Sequence, residues 1–144
     1  MAPILKILAF MAAFSLAHAA QAADYRLETW ADGLDLPWSI AFLPDGNALV
    51  TELGGRLLPV DSDGRVGSPI ENVPPVYFAG QGGLFDVLPH PDFAENRVIF
   101  LSYAEGGRKD NGTAVARARL GTGELEDVDV IFRNFTRKDT PVHY

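Results

Sequence analysis

The 144 residues include no cysteine, which excludes a disulfide framework and any thiolate metal site. Positive charge is scarce, with 12 Lys and Arg against 19 Asp and Glu for a net charge of −7. An excess negative field without a basic cluster on one face argues against nucleic acid as a partner. The short basic runs Arg108-Lys109 and Arg137-Lys138 read as solvated loop charges. Long hydrophobic runs are missing too: no segment reaches the roughly 20 apolar residues a membrane-spanning helix needs. Helix-period patterning is rare after the first two dozen residues. What remains is ordinary for a chain that buries a core, 47% hydrophobic and 22% charged, at the length of one domain.

The first 22 residues set the expected compartment. Lys6 is the only charge before Asp24, residues 7–16 form a short apolar run, and two small-x-small sites follow, Ala17-His18-Ala19 and Ala20-Gln21-Ala22. This is the layout of a secretory signal peptide, with cleavage expected after Ala22 or, less favourably, after Ala19. The competing reading is an uncleaved N-terminal helix. The expectation is therefore a signal peptide over 1–22 and one domain over 23–144. The mature protein would be periplasmic or secreted, from a bacterium, with no stable membrane insertion once the leader is removed. His18 falls in the leader and is set aside as chemistry. Without Lys6 the rest carries 11 basic against 19 acidic side chains, a net −8.

Past the leader, short apolar runs alternate with turn signals. Trp38-Ser39-Ile40-Ala41-Phe42-Leu43 reads as a strand. Pro44-Asp45-Gly46-Asn47 turns the chain, since proline presets φ and Gly or Asn accepts positive φ. Ala48-Leu49-Val50-Thr51-Glu52-Leu53 is the next strand and Gly54-Gly55 the next turn. Arg56-Leu57-Leu58-Pro59-Val60 follows, with Pro59 marking an edge or a bulge. Asp61-Ser62-Asp63-Gly64 turns again, and residues 66–70 are predicted to supply an outer strand. The pattern then restarts with a strand at 83–88, a turn at Pro89-His90-Pro91-Asp92, the apolar strand 97–103, the alternating strand 113–120 and a last strand at 129–132. The first strands of the two units begin at Trp38 and Leu84, 46 residues apart.

A four-stranded unit recurring every 40–50 residues or so is the pattern of β-propeller blades; a β-sandwich with similar spacing is the alternative on these grounds alone. Propellers close with about four to eight blades, and this chain holds material for about two and a half. The expectation is a fragment that stops before the propeller is complete.

Several stretches carry a family resemblance. Leu36-Pro37-Trp38-Ser39-Ile40-Ala41-Phe42-Leu43-Pro44-Asp45-Gly46 resembles an opening strand, and Leu49-Val50-Thr51-Glu52 with Gly55-Arg56-Leu57 the hairpin that follows it. Gly80-Gln81-Gly82-Gly83-Leu84-Phe85-Asp86-Val87, then His90-Pro91-Asp92-Phe93, Leu101-Ser102-Tyr103 and Ala114-Val115-Ala116-Arg117, continue in order. Together they resemble the soluble glucose/sorbosone dehydrogenases, which include the periplasmic aldose sugar dehydrogenases. The resemblance implies an all-β fold, a six-bladed β-propeller of which this chain holds about the first two to two and a half blades. It also implies pyrroloquinoline quinone (PQQ) and calcium as cofactors, oxidation of aldose sugars at C1, and a separate electron acceptor as partner.

Two residues match functional positions of that family. His143, in Val142-His143-Tyr144, resembles its general base, which takes the proton of the anomeric hydroxyl while a hydride passes to the quinone. An imidazole with a pKa of about 6.5 suits that task. Gln81 resembles the glutamine lining the active site near cofactor and sugar, and an amide offers both donor and acceptor without charge. The flanking Gly80, Gly82 and Gly83 would let backbone approach a flat ligand. Val142 stands where the glucose dehydrogenases of the family carry an acid, which leaves the imidazole less firmly oriented and withholds glucose specificity from the resemblance. Leu53 replaces a basic residue frequent there. The family's cationic contacts to the quinone and its calcium-binding carbonyls would lie beyond Tyr144, so no metal ligand is expected within this segment.

Other patterns read more simply. His90, between two prolines, is structural. Asp61-Ser62-Asp63-Gly64 lacks the later ligands of a calcium loop and is a turn. Asn111-Gly112-Thr113 and Asn134-Phe135-Thr136 fit a glycosylation pattern but accompany a bacterial-type leader. Two alternatives to the dehydrogenase stay open, a non-catalytic secreted propeller that binds a partner and a propeller lactonase or hydrolase. The latter calls for clustered acids that this segment lacks.

Overall fold

The computed structural model describes residues 25–137 and 139–140. Among them lie seven strands and one helical turn: β1 (Pro37–Phe42), β2 (Ala48–Glu52), β3 (Leu57–Val60), β4 (Leu84–Pro89), α1 (Phe93–Asn96), β5 (Val98–Gly107), β6 (Asp110–Leu120) and β7 (Leu125–Arg133). They form two antiparallel meanders, a three-stranded sheet β1-β2-β3 and a four-stranded sheet β4-β5-β6-β7. The order within each sheet is the order in sequence, so short turns do the connecting.

Turn chemistry places these strands. After β1, the Leu43 N–H reaches Asn47 O at 2.8 Å and Gly46 takes φ 86°. After β2, Gly55 N–H bonds Glu52 O while Gly55 sits at φ 103°, a conformation glycine adopts without steric cost. Pro59 pairs opposite Leu49 on β3, and its carbonyl accepts Gly67 N–H on the outer side. A strand residue points its N and C=O to the same side, so the N–H that proline lacks is not one the β2 ladder needs.

The outer strand expected over 66–70 does not form. That segment follows β3 through a single bridge, Val60 to Val66, and two bonds, Gly67 N–H to Pro59 O and Ile70 N–H to Leu57 O. Ser68-Pro69 supplies no continuous row of donors, and the chain leaves to run beside the other sheet. There Glu71 pairs in parallel with Glu124, and Tyr77 N–H bonds Ala104 O. The turn expected at Pro89-His90-Pro91-Asp92 leads into α1, one helical turn closed by Arg97 at φ 54° with its N–H on Phe93 O. The strands of the second sheet run longer than the apolar patterns, because β5 and β6 continue in register to the pair Gly107 and Asp110.

The core lies between the sheets. Leu49 and Leu57 of the first meet Leu84, Val87, Ile99, Leu101 and Tyr103 of the second. On β6, Ala114, Ala116 and Ala118 are buried while Arg117 and Arg119 face outward, the alternation of a strand with one wet face. The opposite faces are bare: Ile40 and Phe42 on β1, and Ile131 and Phe132 on β7, are each about half exposed or more.

Candidate functional site

Both innermost strands carry an irregularity near their first residues. On β1, Pro37 pairs with Glu52 and Ser39 with Thr51, which leaves Trp38 as an extra residue. On β4, Leu84 pairs with Tyr103 and Val87 with Leu101, so Phe85 and Asp86 share the space opposite Ser102. Such bulges bend a strand and re-aim its side chains. Here they turn Trp38 and Phe85 toward one another, with ring centroids 6.0 Å apart at 54°, within the range of favourable tilted aromatic pairs. In each sheet a hydroxyl on the second strand takes the N–H that the bulge frees. Ser39 N–H donates to Thr51 Oγ1 at 3.1 Å, and Asp86 N–H to Ser102 Oγ at 3.0 Å.

The two rings wall a cavity of about 630 Å³ that Leu53, Gln81, Asp86, Ser102 and Thr113 complete. Gln81 is exposed at its rim. It sits in a tight turn in which Gly82 N–H bonds Ala79 O at 2.8 Å and Gly80 takes φ 58°. Gly83 serves packing rather than ligand approach: a Cβ there would press against the Leu53 carbonyl oxygen, far inside contact distance. Leu84 N–H donates to that same carbonyl at 3.1 Å. The glycine thus lets the second sheet close on the first beside the cavity.

A buried acid holds the neighbouring loops. Glu52, 1% exposed, accepts the Asp35 N–H at 2.6 Å through Oε1 and pairs with Arg56 through Oε2. Both oxygens are engaged, so Glu52 is a structural anchor rather than a free acid or base.

Of the site residues expected from sequence, Gln81 reaches the cavity and His143 lies outside the described residues. The aromatic pair was not singled out beforehand, although Trp38 and Phe85 occupy equivalent places in the two units. His90 lies at the far end of β4, where its Nδ1 accepts the Asp92 N–H at 3.0 Å and its ring packs on Phe100. Asp61 Oδ1 accepts the N–H groups of Asp63 and Arg65, both at 2.9 Å, within its own turn. Asn111 is fully buried and bonds Gly107 O. Among the described residues no three His, Asp or Glu side chains converge as a metal-binding set.

Arg137 differs from expectation. Instead of extending into solvent, it lies partly buried against the β5–β6 hairpin, with Nε on Asp110 Oδ1 at 2.9 Å, Nη1 on Glu105 Oε2 at 3.3 Å and Nη2 on Asp110 O at 3.1 Å. The hydrogen bond to Asp110 raises its pKa further. Gly106 leaves room for the guanidinium.

The glucose/sorbosone dehydrogenase family profile matches residues 34–144. The chain is 40% identical over 126 residues to the Escherichia coli K12 aldose sugar dehydrogenase YliI, covering 85% of this chain and 34% of that protein. It superposes on a crystal structure of a glucose dehydrogenase with a TM-score of 0.75 at 45% identity, over 79% of this chain and 34% of that one. The PQQ-bound aldose sugar dehydrogenase of Streptomyces coelicolor aligns with a TM-score of 0.63 at 30% identity, over 76% of this chain and 34% of that one. The chain therefore spans about a third of the length of the relatives it matches, which is the share that two of six propeller blades would take. The paired bulges, the glycine-lined seam and the order of the motifs all fall inside the matched stretch, and the chain belongs to the glucose/sorbosone dehydrogenase family.

Proposed function

We propose that the protein containing this chain oxidises aldose sugars at C1 to the lactone, with PQQ as the redox cofactor. The observation that carries this reading is the placement of Gln81 at the rim of a cavity built where the two inner strands begin. The described residues fit one side of such a site. Trp38 and Phe85 offer a flat, apolar wall, Gly80 and Gly82 carry no side chain to obstruct a planar ligand, and the Gln81 amide can bond a sugar hydroxyl or a quinone oxygen. Among the described residues the cavity lining carries no cation, so partners for the quinone carboxylates, like those for calcium, would come from elsewhere in the protein.

PQQ, when bound, accepts the hydride. The chain's own contribution is to orient the sugar through Gln81, exclude water with the aromatic wall, and take the proton of the anomeric hydroxyl on the imidazole of His143. A leader removed after Ala22 would deliver the protein to the periplasm or beyond, where a separate electron acceptor reoxidises the cofactor. Intact-mass measurement of the secreted product checks the leader directly. Residues 23–144 alone are expected to turn over no sugar.

The test uses the full-length gene product, purified without cofactor, given PQQ and calcium, and assayed by dye reduction across a panel of aldoses. His143→Ala should lower kcat by at least about 100-fold, the range for removing a general base. Gln81→Ala should act mainly on KM. Full activity in His143→Ala would remove that residue from the mechanism. A folded protein without turnover would return the reading to a secreted binding module.

A further inference from the structure

We propose that Thr51 is a positioning residue for the cavity: its hydroxyl ties the bulge of β1 to the bulge of β4 and so sets Trp38 and Phe85 as one wall. The geometric claim stands on the structure; its kinetic consequence rests on the dehydrogenase reading above.

Thr51 lies on the central strand of the first sheet and is fully buried. A hydroxyl has one proton to give and two lone pairs to offer. Thr51 Oγ1 accepts the Ser39 N–H at 3.1 Å and donates to the Phe85 carbonyl at 2.5 Å. The other acceptor within reach, Ser39 O, is at 3.5 Å, so the proton belongs to Phe85. One side chain thereby serves both inner strands, taking the N–H beside Trp38 and fixing the carbonyl of Phe85 itself. Ser102 occupies the matching place in the second sheet and takes the matching N–H of Asp86, which marks the arrangement as a repeated device rather than a single contact. Bulges leave main-chain groups without ladder partners, and buried ones must find another. Without the hydroxyl, Ser39 N–H and Phe85 C=O lose the side chain they share, and the two bulges lose this tie between them.

The experiment compares Thr51→Val, which keeps shape and loses the hydroxyl, with Thr51→Ser, which keeps the hydroxyl. Both are made in the full-length protein labelled with 5-fluorotryptophan. The Trp38 fluorine resonance, assigned by its loss in Trp38→Phe, reports the ring's surroundings whether or not the protein turns over sugar. Thr51→Val should shift that resonance and raise the KM for the aldose about tenfold while kcat changes less than about twofold; Thr51→Ser should restore both. If Thr51→Val does not fold, Thr51→Ala is read in the same way. An unmoved Trp38 resonance with lowered thermal stability alone would make Thr51 a packing residue and overturn the proposal. Absence of turnover in the unsubstituted protein would defeat the dehydrogenase reading, and the fluorine shift would still decide the role of Thr51.

Discussion

A single added methyl group tests how tightly the two sheets are joined. Gly83 lies against the Leu53 carbonyl with no space for a Cβ, so Gly83→Ala must push β4 away from the first sheet. The expected cost is about 1–3 kcal/mol, the usual penalty for overpacking, read as a lowered denaturation midpoint with an unchanged slope. Asp61 gives a pH-dependent counterpart. The backbone N–H of Arg65 holds its carboxyl below the ordinary range; partial burial opposes this, and the Asp63 N–H and the Arg65 charge add to it. A depressed carboxyl pKa contributes stability that is present above the unfolded value of about 3.9 and is lost as pH falls through the folded one. Asp61→Asn keeps an acceptor for the turn and removes the titration. Its thermal stability should therefore fall less steeply than the parent's below about pH 4.

At the level of elements, legibility followed periodicity and failed where backbone pairing decided the outcome. β1, β2 and β6 were readable because alternation and Pro-Asp-Gly or Gly-Gly turns mark a strand and its ends. The segment at 66–70 has similar composition, yet Ser68-Pro69 and the pull of the second sheet on Glu71 leave it one bridge short of a strand. α1 went unseen because four residues are too few to show a period. Gln81 was legible through its motif. The partnership of Trp38 with Phe85 was not, because a bulge adds a residue without changing composition, and only the register shows which side chain turns. The ion pairs of Arg137 are hidden for a related reason: its partners, Glu105 and Asp110, are distant in sequence and become neighbours through the β5–β6 hairpin. Truncating it in Arg137→Ala should cost no more than about 1 kcal/mol for each partly exposed pair lost, and the deficit should shrink in high salt.

On the scale of the molecule, two blades leave two faces uncovered. Ile40 and Phe42 line one and Ile131 and Phe132 the other, and apolar patches of this kind are normally buried against further structure. In a closed propeller each face meets a neighbouring blade. Residues 23–144 produced alone should therefore self-associate, with an oligomer population that rises with concentration in light-scattering chromatography. Combining Phe42→Ser with Ile131→Thr should reduce it; a concentration-independent monomer of the unsubstituted stretch would show the faces to be inert.

The link between the sheets also sets an order of events. Glu71 N–H bonds Gly123 O, Leu125 N–H bonds Glu71 O, and Tyr77 N–H bonds Ala104 O, so the connector is held by residues that leave the ribosome well after it. Until β5, β6 and the turn before β7 have emerged, Glu71 and Tyr77 lack these backbone partners, and the core side of the first sheet lacks the second. Contacts so distant in sequence form late. The first blade therefore gains its complete set of native contacts only once the second has been made, and the two are expected to settle together during synthesis.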